Sequence, residues 1–171
     1  MNELTSAVIQ KFYDDLEISH DTGYGFIYID YETVTNTDEW FTLKLTFSEV
    51  QASSNTYFKF YHIDRTSGTY VTFGDLIDSE DFGAIEQIIR AQMEAEMAAD
   101  PDVVYWTEYT ELGQSITALS TDQNFYFDDA GNLVIVYNKY EVSPGSMGCP
   151  EIVISKEKIE KCLILNIELG Q

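Results

Sequence analysis

The chain has 171 residues, with 30 Asp plus Glu against 9 Lys plus Arg and a formal net charge of −21. That length suits a single domain with a real core, and 44% apolar with 14% aromatic residues excludes a disordered chain in spite of the charge. A surface this acidic repels phosphate backbones and anionic lipid, so nucleic acid and direct membrane binding are not expected, whereas cations and basic proteins are attracted.

Leu4–Leu16 reads as a helix, with Leu4, Val8, Phe12 and Leu16 on one stripe, and Asp21-Thr22-Gly23 breaks the chain after it. Gly25–Thr35 has the Tyr, Ile and Val content of a strand. After the turn Asn36-Thr37-Asp38, Trp40–Val50 alternates: Phe41, Leu43, Leu45 and Phe47 share one face, and Thr42, Lys44, Thr46 and Ser48 the other. Ala52-Ser53-Ser54-Asn55 is a polar break. Thr56–Asp64 and Thr69–Phe73 form a hairpin around Asp64-Arg65-Thr66-Ser67-Gly68, with Gly68 where φ > 0 is needed. Ser79 or Asp81 can cap the next helix, whose stripe is Phe82, Ile85, Ile88, Ile89, Met93 and Met97, and Asp100-Pro101 ends it. Val103–Thr110 is short, aromatic and without a pattern. Asn124–Phe127 and Leu133–Tyr140 form a second hairpin across the turn from Asp128 to Asn132. Ser143–Pro150 is a loop rich in Gly and Pro, Glu151–Ile154 is a last strand, and Ser155 caps a closing helix from Lys156 to about Leu163 that buries Ile159, Cys162 and Leu163.

Hairpins without a βαβ rhythm predict the α+β class: an antiparallel sheet built from hairpins with helices packed on one side. No repeat and no linker divides the chain, so residues 1–171 are expected to form one domain. No window reaches about 18 apolar residues, the length of a membrane span, and Met1-Asn2-Glu3-Leu4 shows no signal-peptide pattern.

The chemistry is sparse. Asp128-Asp129-Ala130-Gly131-Asn132 lacks the alternating acids and closing Glu of a calcium loop, and reads as turn chemistry. His20 and His62 are the only histidines, with no Cys-x-x-Cys, so no metal site is expected. No nucleophile elbow and no phosphate loop occur, so neither a catalytic residue nor a cofactor is assigned. Cys149 and Cys162 are read as two free thiols rather than a bridge. From Ala91 to Asn138 there is no Lys or Arg against nine acids: Glu94, Glu96, Asp100, Asp102, Glu108, Glu111, Asp122, Asp128 and Asp129. They are either separate solvated faces or one surface that steers a basic partner.

Two segments carry a family resemblance. One is Tyr61-His62-Ile63-Asp64, Gly68 and Asp75-Leu76-Ile77. The other is Asn124-Phe125-Tyr126-Phe127, Gly131, Leu133–Tyr137, and Tyr140-Glu141-Val142-Ser143-Pro144 through Gly148. In this order they resemble the extracytoplasmic domain of RsiV-type anti-sigma factors, a domain also found with some peptidoglycan deacetylases and in lipoproteins. The resemblance spans about Ala7 to Leu163. The chain departs from the pattern at Ala52-Ser53-Ser54-Asn55, where many relatives carry a Gly-Gly-Ala-His-type segment. The resemblance implies a non-enzymatic sensor outside the membrane, anchored to it in the full-length parent. It implies a basic protein ligand such as lysozyme, and contact with a sigma factor only through a segment outside this chain. The alternative is an accessory glycan- or wall-binding domain of a peptidoglycan-modifying protein or lipoprotein. For a partner-binding surface the sequence offers Tyr140, Glu141, Ser143, Pro144, Gly145, Ser146 and Met147, because Pro and Gly preorganise an exposed backbone. The competing view is that this loop only shapes a strand crossover.

Overall fold

The computed structural model describes residues 2–18, 25–50, 53–106 and 117–164. Helix α1 (Asn2–Ile18) leads into the antiparallel meander β1 (Phe26–Asn36), β2 (Trp40–Val50), β3 (Ser54–Asp64) and β4 (Thr69–Val71). The short helix α2 (Phe73–Leu76) and the long α3 (Phe82–Ala99) follow. A second antiparallel sheet holds β5 (Phe125–Phe127), β6 (Leu133–Val136) and β7 (Glu151–Ile154), and α4 (Lys156–Ile159) comes after it. The fold is α+β, and its hairpins divide into these two sheets.

The meander is buried on different faces at its two ends, which the alternation of β2 does not reveal. Leu45 and Phe47 are buried from the apolar set, yet so are Trp40 and Thr42 from the opposite face. The register places Trp40, Thr42, Lys44 and Thr46 on one face with Asp64, His62, Phe60 and Phe58. That face receives the second sheet: Trp40 meets Phe127 edge-on at 6.0 Å, and His62 stacks on Phe125 at 4.0 Å. On the other face, fully buried Phe47 stacks on Tyr57 at 5.0 Å. In α1, Phe12 is buried; Leu4 and Leu16 lie outside the residues with described side chains.

The main core joins Phe82, Ile85, Ile89 and Met93 of α3 to Phe125, Phe127, Leu133, Ile135, Ile152 and Ile154 of the second sheet. This is the helical stripe and the strand alternation meeting, as their periodicities require.

Three boundaries differ from expectation, each because a local or tertiary bond outweighs propensity. β4 stops at Val71 rather than Phe73, because Thr72 and Asp75 close a capping box: Thr72 Oγ1 accepts from the Asp75 amide, and Asp75 Oδ2 accepts from the Thr72 amide at 2.9 Å. β6 stops at Val136 rather than Tyr140, because Tyr140 has φ 68° and turns the chain. α4 stops at Ile159, since Leu163 pairs with Ile77 and the Ile164 amide donates to the Leu76 carbonyl at 2.9 Å. Ser155 stands at the α4 cap without a side-chain capping bond. Asp81 stands at the α3 cap without a side-chain capping bond, while Asp78 caps the preceding Ser79–Asp81 turn, its carboxylate accepting from the Glu80 amide. Among the described residues no helix is long and apolar enough to cross a membrane.

Candidate partner-binding loop and its seat on β3

β4 pairs only with His62, Ile63 and Asp64, which leaves the outer edge of β3 open from Ser54 to Phe60. Unpaired strand edges need partners. The flanks of the second sheet supply them. Asn124 Nδ2 donates to the Phe58 carbonyl at 3.0 Å, and the Phe58 amide donates to Asn138 Oδ1 at 2.8 Å. Both main-chain groups of one residue are thus held by two asparagine side chains, one before β5 and one after β6. The Lys139 amide donates to the Thr56 carbonyl at 3.2 Å, and Lys139 Nζ donates to the Ser54 carbonyl at 2.6 Å. Cys149 Sγ lies 3.6 Å from the same Thr56 carbonyl. The loop is therefore seated on Ser54, Thr56 and Phe58 of β3.

The loop itself is held tightly. Glu141 Oε2 accepts from the Asn138 amide at 2.6 Å, and the Glu141 amide donates to the Asn138 carbonyl at 3.1 Å. These bonds force the left-handed backbone at Tyr140. Its ring lies against Gly145, where a Cβ would collide with the ring carbons, and Lys139 Nζ sits 5.2 Å from the ring centre. Gly145 is required by that approach, and Gly148 by its φ of 71°. The far end is tied by the Tyr137 amide donating to the Pro150 carbonyl at 2.9 Å.

The expected site residues separate. Tyr140 is 48% exposed, Glu141 and Ser146 are exposed, and Pro144, Gly145 and Met147 are half-buried. Ser143 is fully buried, and its hydroxyl has no hydrogen-bond partner. It shapes the loop and presents nothing to a visitor, because Val142 beside it enters the core. The Val142 carbonyl accepts from the Trp106 amide at 2.8 Å, which brings exposed Val104 and Trp106 alongside. Asn124, Asn138, Lys139, Ser54 and Trp106 were missed in the sequence. The polar residues at strand ends were the signal, but nothing local says that an edge 66 or 80 residues away needs them.

Cys149 and Cys162 are free, and burial pushes both thiols up, so neither is an activated nucleophile. Among the described residues no three His, Cys, Asp or Glu side chains converge on a metal position. His62 is buried in a polar chain: Trp40 Nε1 donates to Thr42 Oγ1 at 2.9 Å, and Thr42 Oγ1 lies 3.0 Å from His62 Nδ1. The indole can only donate, so Thr42 Oγ1 accepts from it and keeps its own hydrogen free to meet His62 Nδ1. Burial pushes the His62 pKa down to about 3. His20 lies outside the described residues.

Among the described residues the acids between Ala91 and Asn138 sit on α3 and on separate turns. Asp100 caps the turn after α3 by accepting from the Asp102 amide, Asp122 sits by Ser120 at a small cavity of about 60 Å³ lined by Lys59 and His62, and Asp128 closes the β5–β6 turn on Asn132. Glu108 and Glu111 lie outside the described residues.

The geometry has counterparts. The family model DUF3298, a protein family of unknown function, matches residues 74–157. The chain is 34% identical over 143 residues to the anti-sigma-V factor RsiV of Bacillus subtilis, covering 83% of this chain and 50% of that protein, so it spans about half the length of this relative. A crystal structure of a DUF3298 family member from Bacteroides fragilis aligns with a TM-score of 0.68 at 20% identity, over 96% of this chain and 68% of the other. A second, from Pseudomonas aeruginosa, aligns with a TM-score of 0.64 at 12% identity, over 93% and 71%. These two show the same fold. The DUF3298 match over residues 74–157 and the identity to RsiV over most of the chain identify an RsiV-type domain.

Proposed function

We propose that residues 1–171 act as one non-enzymatic sensor domain of an RsiV-like anti-sigma factor, outside the membrane and anchored to it in the full-length parent. Its ligand is a basic protein, and lysozyme is the one to test first. The observation that carries this reading is the identity to RsiV across 83% of the chain. Two further observations support it. A chain at −21 steers a strongly basic partner and speeds association more than it sets final affinity. The loop around Tyr140 is braced by bonds at both ends, so it binds without a large ordering cost.

Calorimetric titration with hen lysozyme at 50 and 300 mM salt, with lysozyme activity assayed in parallel, tests the reading. Saturable 1:1 binding that weakens with salt is expected. Absence of heat at micromolar concentrations rejects lysozyme as the ligand. Pro144→Ala and Tyr140→Ala are expected to weaken binding while leaving the melting temperature within a few degrees.

A further inference from the structure

The face of the meander that receives the second sheet is only partly covered. Across β1, β2 and β3 the register runs Phe26–Val50–Ser54, Tyr28–Ser48–Thr56, Asp30–Thr46–Phe58 and Glu32–Lys44–Phe60. Side chains paired in this way share a face. At the β3 end Phe58 and Phe60 pack with Tyr126, Val134 and Val136, and Lys139 bonds the Ser54 carbonyl at the strand edge. The β1 end is bare. Phe26 is 52% and Tyr28 68% exposed, their rings meeting edge-on at 6.1 Å, with Asp30 and Glu32 exposed beyond them. Large aromatics bared side by side mark an interaction surface more often than a solvated one.

Charge says what the shelf receives. Tyr126 stacks on Phe60 at 5.8 Å, and its hydroxyl donates to Glu151 Oε2 at 2.9 Å. Burial first, then the Glu151 carboxylate on its hydroxyl, hold that phenol well above its ordinary range, with the charges of Asp128 and Glu32 adding in the same direction. Lys44, the cation of these rows, is already spent on Glu32 at 2.8 Å and on the Phe58 ring at 4.5 Å. A second copy would bring another −21 against the first. An added strand would find the Tyr31 amide already donating to Asp30 Oδ1 at 2.8 Å. The remaining fit is a folded partner whose arginine and lysine side chains stack on Tyr28 and Phe26 and pair with the acids.

We propose that this shelf, Phe26 and Tyr28 with Asp30, Glu32 and Glu151, is a docking surface for the basic face of the partner, continuous with the Tyr140 loop. The inference rests on the reading of the domain as a receptor for a basic protein, and adds a second set of contacts to it. Tyr28 lies two strands, about 10 Å, from Thr56, on which the loop is seated. One folded protein spans both.

The test uses the whole chain against hen lysozyme, with loop and shelf variants in parallel. Phe26→Ala with Tyr28→Ala is expected to weaken binding by about tenfold or more, mainly in the dissociation rate. Asp30→Asn with Glu32→Gln is expected to slow association and flatten its salt dependence. Both pairs are exposed, and circular dichroism and melting checks confirm that the variants are folded. An unchanged dissociation constant for the aromatic pair, beside a weakened Pro144→Ala, overturns the shelf and leaves the loop standing. If the natural chain does not bind lysozyme, the sensor reading fails for that protein. The shelf is then read with an octa-arginine peptide by NMR. Shifts confined to β1, Tyr126 and Glu151 support it, while shifts elsewhere, none, or dimerisation of the chain overturn it.

Discussion

His62 is where a single residue makes the fold depend on pH. Its folded pKa of about 3 lies below the ordinary value of 6.5, so the unfolded chain binds the proton more readily. The resulting stability is fully present above pH 6.5 and is lost as pH falls from 6.5 towards 3. Between pH 7.5 and 5.0 this one group is expected to remove about 2 kcal/mol, at a slope approaching 1.4 kcal/mol per pH unit. Urea denaturation at both pH values checks this. His62→Gln, less stable at pH 7.5, should lack that part of the decline, and an equal decline in both proteins would refute the assignment. The carboxylates held low by hydroxyl and amide donors, Asp64 and Asp75 among them, act below that window with the same sign. Backbone strain gives a second expectation at this scale. Gly148 combines φ 71° with ψ −133°, a region closed to residues with a Cβ. Gly148→Ala should cost about 1–3 kcal/mol, whereas Tyr137→Phe should be nearly neutral, because the buried hydroxyl has no hydrogen-bond partner.

Between elements, the two sheets are joined on one edge by asparagines. Removing Asn124 or Asn138 leaves a Phe58 main-chain group without its bond, so each change to Ala is expected to cost about 1–3 kcal/mol. Denaturation midpoints check this, and a double mutant whose loss is smaller than the sum would show that the two bonds act as a unit. Thr72→Ala, which opens the α2 capping box, should cost about 1 kcal/mol. These contacts also mark where the sequence stops being readable. The α3 stripe, the four-strand meander and the Gly68 turn follow from periodicity and turn chemistry, which act within a few residues. The capping box at Thr72 was legible in principle as Thr-x-x-Asp but was hidden by the strand-like Tyr-Val-Thr-Phe around it. The end of β6 was hidden too, since Tyr-Asn-Lys-Tyr alternates well enough and only the Asn138–Glu141 bonds turn it. The double burial of β2 has no local signal, because it depends on which element covers which end. At the candidate loop, the exposure of Tyr140 and Ser146 was legible through the Pro and Gly around them, while the burial of Ser143 was not.

For the molecule as a whole, the acids spread over the α3 turn, the Asp122 turn, the β5–β6 turn and the β1 shelf. The charge therefore acts mainly as a general field, with Glu151 held at the Tyr126 hydroxyl. A field of this kind destabilises the compact state by self-repulsion, and salt screens it. The melting temperature should rise by several degrees between 10 and 300 mM sodium chloride, with no further specific gain from calcium at equal ionic strength. A calcium-specific gain would point to a metal site in the acidic turns. Salt is thus expected to act oppositely on stability and on the proposed docking: it strengthens the fold and screens attraction to a basic partner.

The asparagine bonds to Phe58 have a consequence for the order of assembly. The meander closes through turns of a few residues, whereas the Phe58 bonds close chain loops of 66 and 80 residues. Short closures form sooner than long ones, so the first sheet should organise before the second docks on its edge. Because the Phe58 amide is held by a side chain from the second sheet, its hydrogen exchange reports docking alone. It should exchange faster than the amides inside the β2–β3 ladder, and in pulse-labelled refolding it should become protected after them.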